Sequence, residues 1–198
     1  MSPPDPALSL RQRTWRAVRQ EITEAALQLF LERGFDATTV DQIAEAAGIS
    51  RRSFFRYFET KEDVVLGDLM ALGEQVHAAL QARPADESAW VALRAAFATL
   101  QEPQRLPATE LAIAQICHGA PTLRARHLEK HLYWQELLAP EIEKRLGTAS
   151  ATHAGLQARA IVASALACLD TAVEAWRESG GRADLEELYD EAVAAVRA

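Results

Sequence analysis

Residues 38–61 read TTVDQIAEAAGISRRSFFRYFETK, and the reading of the whole chain starts from them. Val40, Ile43, Ala44 and Ala47 recur at the spacing of one helical face, with Thr38 and Thr39 ahead of them where N-caps belong. Gly48 follows; a glycine ends a helix well because it takes a positive φ without a Cβ clash. Ser50 opens a second helix in which Phe54 and Phe58, one turn apart, share the inward face. Arg51, Arg52, Phe55 and Arg56 are left outward, flanked by Ser53 and Tyr57. Two short helices about a glycine turn, the second with arginines outward, have the geometry that lays a helix in the major groove of DNA.

Upstream, Val18, Ile22, Ala25, Ala26, Leu29 and Phe30 step by three and four, so residues 11–33 form one amphipathic helix closed by Gly34. Arg11, Arg13, Arg16 and Arg19 crowd its start, against the helix dipole, which points to phosphate contact by Arg11 and Arg13. Downstream, Lys61-Glu62-Asp63 opens a long helix with Val64, Val65, Leu69, Leu72, Val76 and Leu80 on its buried side, ended by Pro84. Lys61 at that N-terminus is placed to meet a phosphate together with free backbone N–H groups.

The order of these features resembles the DNA-binding domain of the TetR family of bacterial transcriptional regulators. The resemblance rests on Leu29-Phe30-x-x-x-Gly34-Phe35, Thr38-Thr39-Val40, Ile43-Ala44-x-x-Ala47-Gly48-Ile49-Ser50, the pair Tyr57-Phe58, and Lys61-Glu62. It covers residues 14–69, and the C-terminal half is faintly similar to regulators of the mycofactocin type. Two features depart from the family pattern: Arg51-Arg52-Ser53 stands where a small residue precedes a threonine, and Phe55 replaces a tyrosine. The resemblance implies a homodimer on a palindromic operator, most simply a repressor released by a small molecule. It assigns DNA contact to Thr39, Arg51, Arg52, Ser53, Phe55, Arg56, Tyr57 and Lys61.

A net charge of −7 sits awkwardly with DNA binding until it is divided. Residues 1–62 hold nine Lys/Arg and nine Asp/Glu, so the whole deficit lies in residues 63–198. Charges beyond about 8 to 10 Å are screened in physiological salt, so the local arginines decide. No membrane span is expected, because no run of about 18 apolar residues lacks a charge. Residues 1–10 carry prolines and an aspartate where a secretory leader would be basic and then apolar; they read as a disordered lead to a cytoplasmic protein.

The remainder shows helical periodicity throughout, so the fold expected is all-α with about nine helices. Residues 11–62 form a three-helix DNA-binding domain, and residues 63–198 a ligand-binding and dimerisation bundle. A loop is expected between Pro103 and Pro107, another at 147–150, and a kink or break at Pro140. The helix from about 152 to 178 is apolar nearly all round, so residues 152–197 are expected to form the dimer interface, with Ala165 buried in it. The chemistry is sparse. His127 and His131 have a metal-binding spacing with no third ligand evident, and His118 beside Cys117 is badly placed for catalysis. No metal, cofactor or catalytic residue is expected. Trp90, Phe97, Cys117, His118, His131 and Trp134 are the candidates to line a cavity for an apolar or amphipathic effector. A helical scaffold would not need Arg51, Arg52 and Arg56 outward, and an enzyme would need convergent titratable groups.

Overall fold

In the computed structural model the described residues are 9–67, 69–100, 107–146 and 153–198. They form ten helical segments and no strand. The segments are α1 (Leu10–Arg33), α2 (Val40–Ala46), α3 (Arg51–Phe54), α4 (Glu62–Leu66), α5 (Leu69–Gln81), α6 (Ala89–Ala98), α7 (Pro107–Gly119), α8 (Pro121–Leu146), α9 (Ala154–Glu178) and α10 (Leu185–Arg197). The fold is all-α. The lead over residues 1–8 and the loops expected at 103–106 and 147–150 lie outside the described residues.

Local chemistry sets most of the boundaries. Ser9 and Gln12 form a capping box on α1, and Thr39 and Gln42 form one on α2. Ser50, Ser88 and Asp184 cap α3, α6 and α10 through their side-chain oxygens. Thr38 is not a cap. It is 1% exposed and donates its hydroxyl to the Gly34 carbonyl at 2.9 Å, which fixes the turn after α1. Pro140 lies inside α8 without ending it.

The long helix expected from Lys61 is interrupted. Gly67 ends α4 with φ +69° and ψ −166°, a conformation that a β-carbon would strain, and α5 resumes at Leu69. Taken as one broken helix, α4 and α5 reduce the total to the nine expected. The start of α4 is set not by Lys61 but by the reciprocal pair Thr60 and Asp63: the Thr60 N–H donates to Asp63 Oδ2 at 2.8 Å, and the Asp63 N–H to Thr60 Oγ1 at 3.3 Å.

Two hydrophobic cores result. One gathers Ile22, Phe30, Phe35, Ile43, Phe54 and Phe58 under α1–α4, and takes Ile116, Ala120 and Leu123 from α7, the link after it and α8. The other joins α5, α6, α8, α9 and α10 around Trp134, Leu80, Leu93, Leu138 and Leu166. Arg94 grips Asp190 through two hydrogen bonds of 2.6 and 2.8 Å and stitches α6 to α10. Among the described helices α9 alone is long and apolar enough, by length and composition, to cross a membrane. In the fold it packs against α8 and α10 and buries Ala158, Val162, Ala165 and Leu166.

Candidate nucleic-acid interface

The outward face of α3 is created by what points inward. Phe54 is 0% exposed and packs its ring 5.6 Å from that of Phe58, so residues 51, 52, 55 and 56 must face solvent. Ile49 N–H reaches back to the Ala44 carbonyl at 2.9 Å across Gly48, whose φ of +65° closes the turn. Regular α-helix lasts only from Arg51 to Phe54; Arg56 and Tyr57 then bond to the carbonyls of Ser53 and Phe54, a tighter winding. A shallow concavity opens on this face between Ser50, Arg52, Ser53, Phe55 and Arg56.

The arginines are not equivalent. Arg51 Nη1 lies 2.8 Å from Asp41 Oδ2, with its guanidinium 5.6 Å from the Phe55 ring centre. Arg56 donates to the Tyr57 hydroxyl at 3.1 Å and lies over that ring. Among the described residues nothing engages the exposed Arg52 by hydrogen bond or ion pair. Tyr57 in turn faces Trp15 of α1, with ring centres 5.9 Å apart, and the Arg19 guanidinium lies over both Trp15 and Phe58. Trp15 was not picked out in the sequence. Its signal was an aromatic among the arginines of a basic helix start, left 43% exposed. Arg11 and Arg13 are exposed on the first turns of α1, and Thr39, also exposed, spends its hydroxyl on the Gln42 cap.

Lys61 is engaged within the fold. Its ammonium donates to the Phe35 and Thr38 carbonyls at 2.8 and 3.0 Å, lies 3.5 Å from that of Asp36, and sits 4.4 Å over the Phe35 ring. Those hydrogen bonds close the turn between α1 and α2, so Lys61 fastens the base of the interface.

The six residues expected to line one effector cavity are dispersed. Trp134 is 1% exposed, donates Nε1–H to the Leu69 carbonyl at 3.0 Å, and fills the space over Gly73, where a β-carbon would come within 2.6 Å of it. Phe97 meets Tyr189 edge-on, with ring centres 6.2 Å apart, in the core beside α10. Trp90 lies near Arg197, and His118 Nδ1 sits 3.3 Å from a Glu174 oxygen. Cys117 is on α7, where burial pushes its thiol up to about 11.

His131 instead joins His127 around Asp170 of α9, at 3.3 and 2.8 Å. Burial works to raise the Asp170 pKa, but hydrogen bonding and the pull of both imidazoles outweigh it and hold the carboxyl well below the usual range. The sequence reading missed this third group. Its signal was an acid on an otherwise apolar helix, which has to find partners. A groove of another kind runs along the seam between the α1–α2 turn and α7, past Phe30, Gly34, Phe35, Gln115, Ile116 and Gly119.

Residues 22–67 match the family described as bacterial regulatory proteins, tetR family. The chain is 37% identical over 145 residues to the HTH-type transcriptional regulator TcmR of Streptomyces glaucescens, an alignment covering 70% of this chain and 64% of that one. It is 30% identical over 133 residues to MftR of Mycobacterium tuberculosis, a protein named for regulation of mycofactocin biosynthesis, covering 64% of each. The match thus spans a little under two thirds of either relative's length. Among solved structures, NalD of Pseudomonas aeruginosa superposes with a TM-score of 0.56 over 92% of this chain and 94% of its own, at 20% identity, which speaks for the fold alone. The helix-turn-helix lies inside the matched stretch, so residues 22–67 belong to the tetR family of bacterial regulatory proteins.

Proposed function

We propose that this chain is a sequence-specific DNA-binding transcription regulator that works as a homodimeric repressor relieved by a small molecule. The observation that carries the reading is the face of α3, where Arg51, Arg52, Phe55 and Arg56 are all exposed above a fully buried Phe54. Arginine pairs bidentately with guanine in the major groove, so Arg52, and Arg51 once it lets go of Asp41, are the base readers. Arg56, Tyr57, Trp15 and the start of α1 with Arg11 and Arg13 lie along the flanking phosphates. Repression asks only that the operator be occupied, whereas activation needs a further surface for polymerase.

A palindromic site calls for a two-fold dimer. The surface left to form it is the outer side of α9 and α10. Leu156 is 59% exposed and Val196 57%, and Ala160, Ala167 and Thr171 are exposed at helical spacing from Leu156. Residues 152–197 therefore remain our dimerisation region, with the reader at 11–62 and the sensor in the remainder. Ligand control follows from the shared core: the α7–α8 corner contributes Ile116, Ala120 and Leu123 to the reader, so an effector that shifts either helix re-aims α3. It does so only by binding the DNA-incompetent arrangement more tightly. The ligand is best sought among apolar or amphipathic metabolites, and the working compartment is the cytoplasm, where the operator is.

The test is selection of bound fragments from random DNA, followed by gel shifts and transcription in vitro on the selected site. A palindromic consensus, bound as a dimer and transcribed less when occupied, is expected. Binding without sequence preference, or transcription raised by occupancy, would overturn the reader or the repressor assignment respectively.

A further inference from the structure

His127 and His131 stand one turn apart on α8, with ring centres 4.6 Å apart, and both present Nε2 to the same carboxylate on α9. His127 Nε2 is 2.8 Å from Asp170 Oδ1, and His131 Nε2 is 3.3 Å from Asp170 Oδ2. One donor atom from each of the three residues falls within 4.8 Å of the other two. Donors about 2.0–2.2 Å from a tetrahedral ion lie roughly 3.3 Å from one another, so these groups stand near the required spacing already.

The hydrogen bonds do not finish the arrangement. His131 Nε2 is shut off from solvent and has no hydrogen-bond partner, since its approach to Asp170 lacks the needed alignment. As placed, Asp170 satisfies His127 and not His131, whereas a cation would draw on all three. Two imidazole nitrogens and one carboxylate oxygen form a donor set suited to zinc and its neighbours rather than to magnesium or calcium. The adverse charge is Lys130, next to His131 on α8, whose ammonium lies 4.8 Å over the Trp134 ring.

We propose that His127, His131 and Asp170 hold one zinc-class divalent cation, with a fourth position left for water or another small ligand, and so tie α8 to α9. The site stands whether or not the chain reads DNA. Histidine spacing alone supplies two ligands; the fold supplies the third from a residue more than 38 positions away.

Cobalt(II) is the probe, added to the full-length protein after chelator treatment. One equivalent per chain should bind, with visible d–d absorption and a raised melting temperature. Of the five histidines, two should show strongly shifted ring resonances in the wild-type protein, a readout that needs no variant. H127Q and H131Q should each weaken cobalt at least tenfold while keeping the helical circular dichroism. H118Q, altering a histidine paired with Glu174, should bind as the wild type does. K130M, with the opposing charge gone, should bind more tightly. No cobalt bound by the wild type, or binding that survives in the H127Q/H131Q double variant, would overturn the site.

Discussion

Arg52 and Arg51 sit side by side on α3, yet only Arg51 is tied to an acid, and the difference is measurable. Arg52→Ala should cost about 1–3 kcal/mol on the preferred site while changing nonspecific affinity less, as read by competition gel shift. Asp41→Asn releases the neighbouring guanidinium. With Arg51 a base reader, it should strengthen binding to the preferred site more than to unrelated sequences, as seen in competition gel shifts. Lys61→Ala should act differently, through the fold: removing the ammonium strands the Thr38 carbonyl, leaves that of Phe35 with only the Thr38 N–H, and should cost about 1–3 kcal/mol of unfolding free energy by denaturant titration. Lys130 offers a pH signature. Burial lowers its pKa to about 8, against the opposing attraction of Asp170 and Cys117. Below pH 8 both folded and unfolded chains carry the charge, and its burial cost is fully present. Between there and the unfolded value the unfolded chain binds the extra proton, so stability should rise with pH relative to Lys130→Met, by about 1–3 kcal/mol by pH 10.

At the scale of the element, α9 shows where a sequence can be read and where it cannot. Its length and apolar character were legible, but which side packs within the chain was not. Ala165, expected between subunits, is 0% exposed within the protomer, so a charge there would break the fold and say nothing about association. Ala167 is on the open side, and Ala167→Glu should give a monomer with unchanged helical circular dichroism and weakened binding to a full palindrome, seen by sedimentation and gel shift. The helices and most of their caps were legible because caps act over three or four residues, as at Thr39–Gln42 and Asp184. Gly67 was not, since a single glycine inside an apolar periodicity is usually absorbed by a continuous helix. The partners of Lys61 and Asp170 were illegible for another reason: they come from other helices far along the chain, and helical spacing carries no information about them.

At the scale of the molecule the two cores meet where α7 and α8 lean on the reader. Leu123 is 0% exposed in that meeting place, and Leu123→Ala should cost about 2–5 kcal/mol in thermal or chemical unfolding. Operator affinity should fall with it, because the reader loses part of its support; unchanged affinity in a destabilised variant would separate the two halves. The interior of the reader is therefore completed by side chains that enter the sequence some fifty residues after Gly67. A chimaera built by cutting at residue 67 and grafting on a foreign sensor would carry its helix-turn-helix intact and leave an apolar wound beneath Phe35 and Val65. The transplantable unit is discontinuous: residues 9–67 together with the α7–α8 corner at 113–123. A designer seeking to give this reader a new input has to keep that corner and exchange what lies beyond it.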